Sequence, residues 1–571
     1  MSMTVSRPWH GGEQVDLRVD ARRAAELEAA ARTWPSWTLT ELQTADLELL
    51  ATGAYAPLRG FATEEEQTSI LGSGRLPDGH RWPVPIVLDV DAGVANAVDD
   101  HRRLALRDAE GTLLATMEVT SRWRPNRHAE AMRLLGSDDP AHPEVAALLR
   151  RSGAMRVGGP VEVLALPAHH DLQDVRLEPA RVRERLDAHG ARAVLAVHLR
   201  GIPTSEQLAS IHTATLDLDA VVLLHPTVGP AESLDLGRFT RIRLARLVAA
   251  RLREQGLTVE LAAVPLAARL SGPREAELHA LVRQNHGATH LLVGPWHASP
   301  HDSEDVPTLF GAHPAQEHLQ AIADELAIVP VCVPAEQVAT RTEVTSDPAG
   351  DDPTRRQLIA TRHGTFPDPS SEVPEEIAAV VHERLPPRAH RGLAVLLTGL
   401  SGSGKSTIAK VLRGRLLEAG GRTVSLLDGD LVARHLSSEL GSSQRDRDLD
   451  VRRLGYVASE ITKHGGVAIC APIAPSDDSR AAVRGLVEAT GGGFLLVHVA
   501  TPLEVCEARD RKGLYARARA GELTGLPGVD APYEIPQHPA LTIDTSDIAP
   551  TDAADHILAH LRAEGWWRPP E

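Results

Sequence analysis

Residues 399–407, Gly-Leu-Ser-Gly-Ser-Gly-Lys-Ser-Thr, combine three glycines, a lysine and several hydroxyls at the spacing a polyphosphate requires. Gly399, Gly404, Lys405 and Ser406 satisfy G-x-x-x-x-G-K-[ST], with Ser401, Gly402, Ser403 and Thr407 completing the loop. Glycines let successive backbone N–H groups turn toward one anion, and a helix starting at the loop adds a favourable dipole. Lys405 is expected to reach the β- and γ-phosphates of a nucleotide, and the Ser406 hydroxyl to ligate Mg2+. Downstream, an apolar run ends in Asp428-Gly429-Asp430. One carboxylate there can hold the metal through water while the other takes a proton from an incoming hydroxyl. The same tripeptide is also an ordinary turn, and the phosphate loop before it is what favours chemistry. Lys405, Asp428 and Asp430 form the expected catalytic set.

The elements that must position these groups follow a strand–loop–helix order. "LAVLLT" (393–398) reads as a strand before the loop and "TIAKVLRGRLLEAG" (407–420) as a helix after it. Strand candidates then recur in "TVSLLDGD", "GVAICAPI", "FLLVHVAT" and "ALTIDT", which predicts a parallel sheet. A second alternation of this kind runs from about 175 to 335. The first 165 residues lack it and read as mostly β. Residues 343–390 are rich in Pro, Asp and Ser and read as a small domain or linker. The expected fold is multidomain α/β, divided at 1–170, 171–340, 341–390 and 391–571.

Composition narrows the setting. Of 571 residues, 42% are hydrophobic and 24% charged, with no apolar run long enough to span a bilayer. "MSMTVSRPWHGGEQVDLRVD" lacks the apolar core of a secretory signal, and the three cysteines have no metal-like spacing. A cytoplasmic protein is expected. The net charge of −17 disfavours nucleic acid as a partner but leaves small phosphorylated substrates open. Among 27 histidines the densest pair, His169-His170, has no ligand-spaced partner, so surface histidines are expected rather than a metal site.

Taken in order, "GLSGSGKSTIA", "LLDGD", "PLEVCEARDRKGLYARARAGE" and "GVDAPYEIP" resemble adenylylsulfate kinase over nearly all of 391–571. The resemblance implies transfer of the ATP γ-phosphate to the 3′-hydroxyl of adenosine 5′-phosphosulfate (APS), with Asp430 as base and Asp428 in the Mg2+–water network. It implies a mobile lid whose Arg509, Lys512, Arg517 and Arg519 contact nucleotide, and an acceptor site at Arg447, Asp450, Ile473, Lys512 and Leu526. Departures from the family concentrate on that acceptor side. Ser442 and Leu526 stand where the family has two aromatics that sandwich adenine. Leu431 and Ala433 replace an Asn and an Arg, although Arg434 follows one place on; Asp450 replaces an Asn and Ala474 a serine. Stacking a base on a ring is worth about 1–3 kcal/mol, so acceptor binding is expected to change unless Leu526 and Ile473 repack on the base.

The first 390 residues resemble ATP sulfurylase through "WTLTELQTADLELLATGAYAPLRGFATEEE", "WPVPIVLDV", "LLHPTVGP" and "SGPREAELHALVRQNHGATHLLVG". That resemblance implies a PUA-like first module, a Rossmann-like second one and a small connecting domain ahead of the kinase region. Its catalytic signatures are altered. Where the family has Q-x-R-N and then H-x-x-H, this chain has His198-Leu199-Arg200-Gly201 and then Thr204 and Gln207. The family's G-R-D-H is Gly294-Pro295-Trp296-His297. Adenylyl transfer needs fixed donors and cations around the reacting phosphorus, and several are gone. The expectation is an ATP- and Mg2+-dependent kinase carrying an inactive sulfurylase-like region, acting on a small nucleotide as a homo-oligomer. The alternatives are a different acceptor hydroxyl, a bifunctional enzyme, and a nucleotide-binding regulator.

Overall fold

The computed structural model describes residues 7–98, 102–150, 153–199, 201–230, 236–269, 271–295, 297–298, 309–310, 313–333, 373–384, 386, 388–441 and 443–567. They form two compact units, one running to Val381 and one from His382 onward. The segment expected as a small connecting domain, 341–390, lies outside the described residues up to 372.

In the first unit, β1 (Ser36–Thr38), β2 (Gly60–Phe61), β3 (Leu88–Val90), β4 (Arg103–Arg107), β5 (Leu113–Glu118), β6 (Ser121–Trp123) and β7 (Met155–Val163) make one sheet. Its path is β1-β4-β5-β7-β2, with β3 and β6 also on β7, and only β1–β4 pairs in parallel. A second sheet follows from β8 (Ala193–Val197), β9 (Ala220–Leu224), β10 (Val259–Leu261), β11 (His290–Val293) and β12 (Val329–Cys332). Its order is β10-β9-β8-β11-β12, all parallel. Leu278, Leu281 and Val282 of the helix Pro273–Asn285 pack into the core of the β-rich module beside Leu47, Leu50 and Ile86, while Ala276 and Ala280 of the same helix join the core under the second sheet, so one helix serves both cores.

The second unit holds β13 (Leu393–Thr398), β14 (Val424–Asp428), β15 (Val467–Ala471), β16 (Gly493–Val499) and β17 (Leu541–Ile543) in the order β14-β15-β13-β16-β17, again all parallel. β13 and β15 are buried along their whole length, which is why they read as unbroken apolar runs. One face is covered by Ile408 and Leu412 of the helix Lys405–Ala419 with Ile557 and Leu561 of Pro550–Ala563. Against the other lie Val451, Leu454 and Ala458 of Gln444–Lys463 with Val483 and Val487 of Asp477–Ala489. From β13 the chain builds β14 and β15 on one side, then β16 and β17 on the other. Strand order therefore reverses at β13, the place where open sheets of this kind receive ligands.

Candidate active site

The phosphate loop leaves the carboxyl edge of the sheet at that reversal. Gly399 runs so close to β16 that a Cβ would stand 2.4 Å from the Val499 carbonyl oxygen. Gly404, at φ +99°, is the last residue before the helix Lys405–Ala419 and occupies the left-handed region that favours glycine. The loop is fixed by its carbonyls. Thr501 and Thr545 hydroxyls donate to Ser403 O at 3.1 and 2.9 Å, and Tyr515 Oη donates to Ser401 O at 2.8 Å. Burial pushes the Tyr515 phenol above its ordinary range, so it remains a donor. A loop held this way is preorganised to offer N–H groups to an anion.

Ser401, Gly402, Gly404, Lys405, Ser406 and Thr407 line a cleft of about 660 Å3, while Ser403 is fully buried beneath the loop. Lys405 Nζ donates to the carbonyls of Gly399 and Leu400 at 2.8 and 2.7 Å. Asp428, the last residue of β14, lines the same cleft as Ser406. A hydroxyl beside carboxylate oxygen is a hard-oxygen donor set that suits Mg2+, so these residues fit the expected ion. Asp430 lies in the first turn of the helix Gly429–Leu436; its side chain, like those of Leu431 and Ala433, is outside what is described.

The segment expected as a lid contributes unequally. Arg509 donates to Thr545 Oγ1 and Thr545 O at 2.8 and 2.7 Å, which holds its guanidinium at the cleft wall. Lys512 also lines the cleft. Arg517 is exposed on the short helix Leu514–Arg519 and is not among the lining residues, and Arg519 pairs with Glu507.

On the acceptor side, Arg447 and Asp450 stand three residues apart on the helix Gln444–Lys463 and both line the cleft, as does Ile473. Ile473 is positioned by its backbone: Thr398 Oγ1 donates to its carbonyl at 2.6 Å, and Arg480 Nη1 donates to the next carbonyl, that of Ala474, at 2.6 Å. Leu526 is 6% exposed and packs with Cys506, Leu400 and the cleft-lining Tyr515, though it does not itself line the cleft. Asp530 accepts from the backbone N–H groups of Gly525 and Leu526 at 2.6 Å each, and Arg447 Nη1 donates to Gly525 O at 2.8 Å. Ser442 lies outside the described residues.

Thr501, Thr545, Tyr515 and Thr398 were not among the expected site residues. Their signal in the sequence is position alone: Thr398 ends β13, and Thr501 and Thr545 stand just past the ends of β16 and β17.

In the first unit, the positions at which the sulfurylase family carries two histidines have a structural task. Thr204 caps the helix Ser205–Leu218; its Oγ1 accepts from Gln207 N at 3.1 Å while Gln207 Oε1 accepts from Thr204 N at 3.3 Å. The expectation that histidines lie at the surface needs correction. His198, His225 and His297 follow β8, β9 and β11, and they meet His279, His286 and the fully buried Arg283 at that sheet edge. Arg283 Nη2 lies 2.8 Å from His198 Nδ1, and His279 Nδ1 lies 3.0 Å from His297 Nε2. Burial lowers His286 to about 3 and the Arg283 guanidinium to about 9. Arg200 and Trp296 lie outside the described residues.

Comparison with known proteins agrees with this division. Residues 391–544 match the adenylylsulphate kinase family, 173–355 the ATP-sulfurylase family and 7–166 the PUA-like domain. A sulfate adenylyltransferase from Phaeosphaeria nodorum is 38% identical over 574 residues, with 98% of this chain and 99% of that protein covered. One from Mycosarcoma maydis is also 38% identical, with 97% and 99% covered. Among solved structures, the hexameric APS kinase from Thiobacillus denitrificans is 31% identical, with 98% and 99% covered and a TM-score of 0.73. The chain is an ATP-dependent transferase, and no helix among its described residues is long and apolar enough to cross a membrane. Matched along the whole length of such relatives, it belongs to the family of sulfate adenylyltransferases fused to a C-terminal adenylylsulfate kinase domain.

Proposed function

We propose that the second unit transfers the γ-phosphate of ATP to the 3′-hydroxyl of APS, giving ADP and 3′-phosphoadenylylsulfate, and that the sulfurylase-like region carries out no adenylyl transfer. The observation that carries the kinase reading is one cleft shared by Lys405, Ser406 and Asp428 with Arg447, Asp450 and Ile473. Ser406 would ligate Mg2+ and Asp428 would hold it through water, and the ion would neutralise charge on the phosphates. Lys405 and Arg509 supply fixed cations along the donor's phosphates, with Arg509 aimed by Thr545. Arg447 and Lys512 orient the anionic acceptor, and Asp430 takes the proton from its attacking hydroxyl. Arg517 joins the nucleotide contacts when the lid segment closes.

Support for a silent sulfurylase-like region comes from Thr204 and Gln207, whose side chains are committed to each other's backbone, and from Pro295, which has no N–H to donate. The hexameric relative and the three unpaired cysteines favour a homo-oligomer in a reducing cytoplasm.

The test is product identity. Purified full-length protein with Mg·ATP and APS is expected to yield ADP and 3′-phosphoadenylylsulfate in equal amounts, resolved by chromatography, and the Lys405→Ala variant to yield neither. ADP formed only with some other hydroxyl compound would replace the acceptor assigned here.

A further inference from the structure

One carboxylate oxygen in the cleft stands without a partner among the described residues. Asp450 lies on the helix Gln444–Lys463, one turn beyond Arg447, and lines the cleft. Its Oδ1 is buried and has no hydrogen-bond partner among the described residues. Folded proteins pair nearly all such atoms, because a buried acceptor forfeits the hydrogen bond it made with water. In a binding cleft the natural partner is a donor that arrives with the ligand.

The chemistry of that donor is restricted. A carboxylate only accepts, whereas the Asn that resembled kinases carry here can both donate and accept. Its charge also opposes any phosphate or sulfate oxygen brought near it, so the anionic end of the acceptor belongs with Arg447 and Lys512 instead. What remains for Asp450 is a neutral N–H or O–H. On APS, apart from the reacting 3′-hydroxyl, those are the exocyclic amine of adenine and the ribose 2′-hydroxyl.

We propose that Asp450 is a specificity-determining residue of the acceptor site, accepting a hydrogen bond from a neutral N–H or O–H of the acceptor nucleotide and rejecting acceptors that lack it. This rests on the reading of the second unit as an adenylylsulfate kinase. With both aromatic positions of the resembled pocket replaced in this chain, a directional hydrogen bond takes over discrimination that stacking, tolerant of any base, does not provide.

The experiment compares kcat/KM of the full-length protein for three acceptors: APS, inosine 5′-phosphosulfate, which replaces the amine by a carbonyl, and 2′-deoxyadenosine 5′-phosphosulfate. Each is measured with the parent protein, Asp450→Ala and Asp450→Asn. For the parent, one analogue is expected to lose about 10- to 100-fold, the range of a hydrogen bond to a charged group. That analogue identifies the donor. In Asp450→Ala the same analogue falls within about three-fold of APS, while Asp450→Asn keeps part of the preference through its amide oxygen. The KM for ATP stays unchanged throughout. No preference in the parent protein, or the same preference in parent and Asp450→Ala, overturns the proposal. A parent protein that makes no 3′-phosphoadenylylsulfate from APS overturns the kinase reading itself, and this assignment with it.

Discussion

Thr545 is a small side chain with two tasks: its hydroxyl donates to Ser403 O beneath the phosphate loop, and it accepts from Arg509 at the cleft wall. Removing the hydroxyl takes away one of the two hydroxyls that donate to Ser403 O and one of the two acceptors that Thr545 offers Arg509, the Thr545 carbonyl remaining. Thr545→Val is therefore expected to raise the KM for ATP about 3- to 30-fold, since a hydrogen bond to a charged group contributes about 1.5–3 kcal/mol, partly offset by relaxation. The KM for APS should stay within about two-fold; ADP formation measures the first with ATP varied at saturating APS and the second with APS varied at saturating ATP. An unchanged KM for ATP would mean that Thr501 and the Thr545 carbonyl hold the loop and Arg509 without the hydroxyl. Lys405, Ser406 and the loop glycines were legible because their spacing is local and the chemistry of the loop is written in consecutive residues. Thr545 and Tyr515 were not. Tyr515 reaches the loop only after the chain has wound through three further strands and Thr545 after four, and no pattern in sequence separates such a hydroxyl from one on the surface. Leu526 is assigned to the acceptor site by resemblance alone, and its packing on Cys506, Leu400 and the cleft-lining Tyr515 depends on tertiary structure that no local pattern records.

At the scale of elements, the capping box at the helix Ser205–Leu218 ties fold to function. Thr204 and Gln207 satisfy two backbone N–H groups that would otherwise lack partners. The double variant Thr204→His with Gln207→His puts back the histidines of the resembled family but removes that cap. It is expected to destabilise the first unit by about 1–2 kcal/mol, seen as an earlier thermal transition, and to produce no sulfate-dependent pyrophosphate from ATP. Pyrophosphate released by that variant would show that only these two side chains separate the region from activity. Strands β8, β9, β13, β15 and β16 were legible as apolar runs because helices cover both faces of a parallel sheet. The β-rich module was legible only in outline. Its β1 and β3 are three residues long and β2 is two, too short for alternation to show which face is buried.

Over the whole molecule, the net charge of −17 contrasts with a cleft that gathers Lys405, Arg447, Arg509 and Lys512, the arrangement expected of an acidic protein that binds anions at one place. The first unit is sensitive to acid through its buried imidazoles. Burial lowers His286 to about 3 and holds His225 well below the usual imidazole range. The folded state keeps these rings neutral while the unfolded chain protonates below about 6.5, so stability is full above that pH and falls as pH drops toward 3. For His286 alone the loss at pH 5 is about 2 kcal/mol, from one and a half pH units at 1.36 kcal/mol each. The thermal transition of the first unit should therefore come earlier at pH 5 than at pH 7, and His286→Gln should flatten that dependence; an unaltered slope would contradict the assignment. The central claim divides labour between one active kinase unit and a silent sulfurylase-like region, and a single comparison tests it. Full-length protein with Mg·ATP is given either APS or inorganic sulfate with pyrophosphatase present, and nucleotides and phosphate are resolved together. The account predicts 3′-phosphoadenylylsulfate with ADP from APS, and no phosphate above background from sulfate. Sulfate-dependent phosphate release, or APS left unchanged while ATP persists, would contradict it.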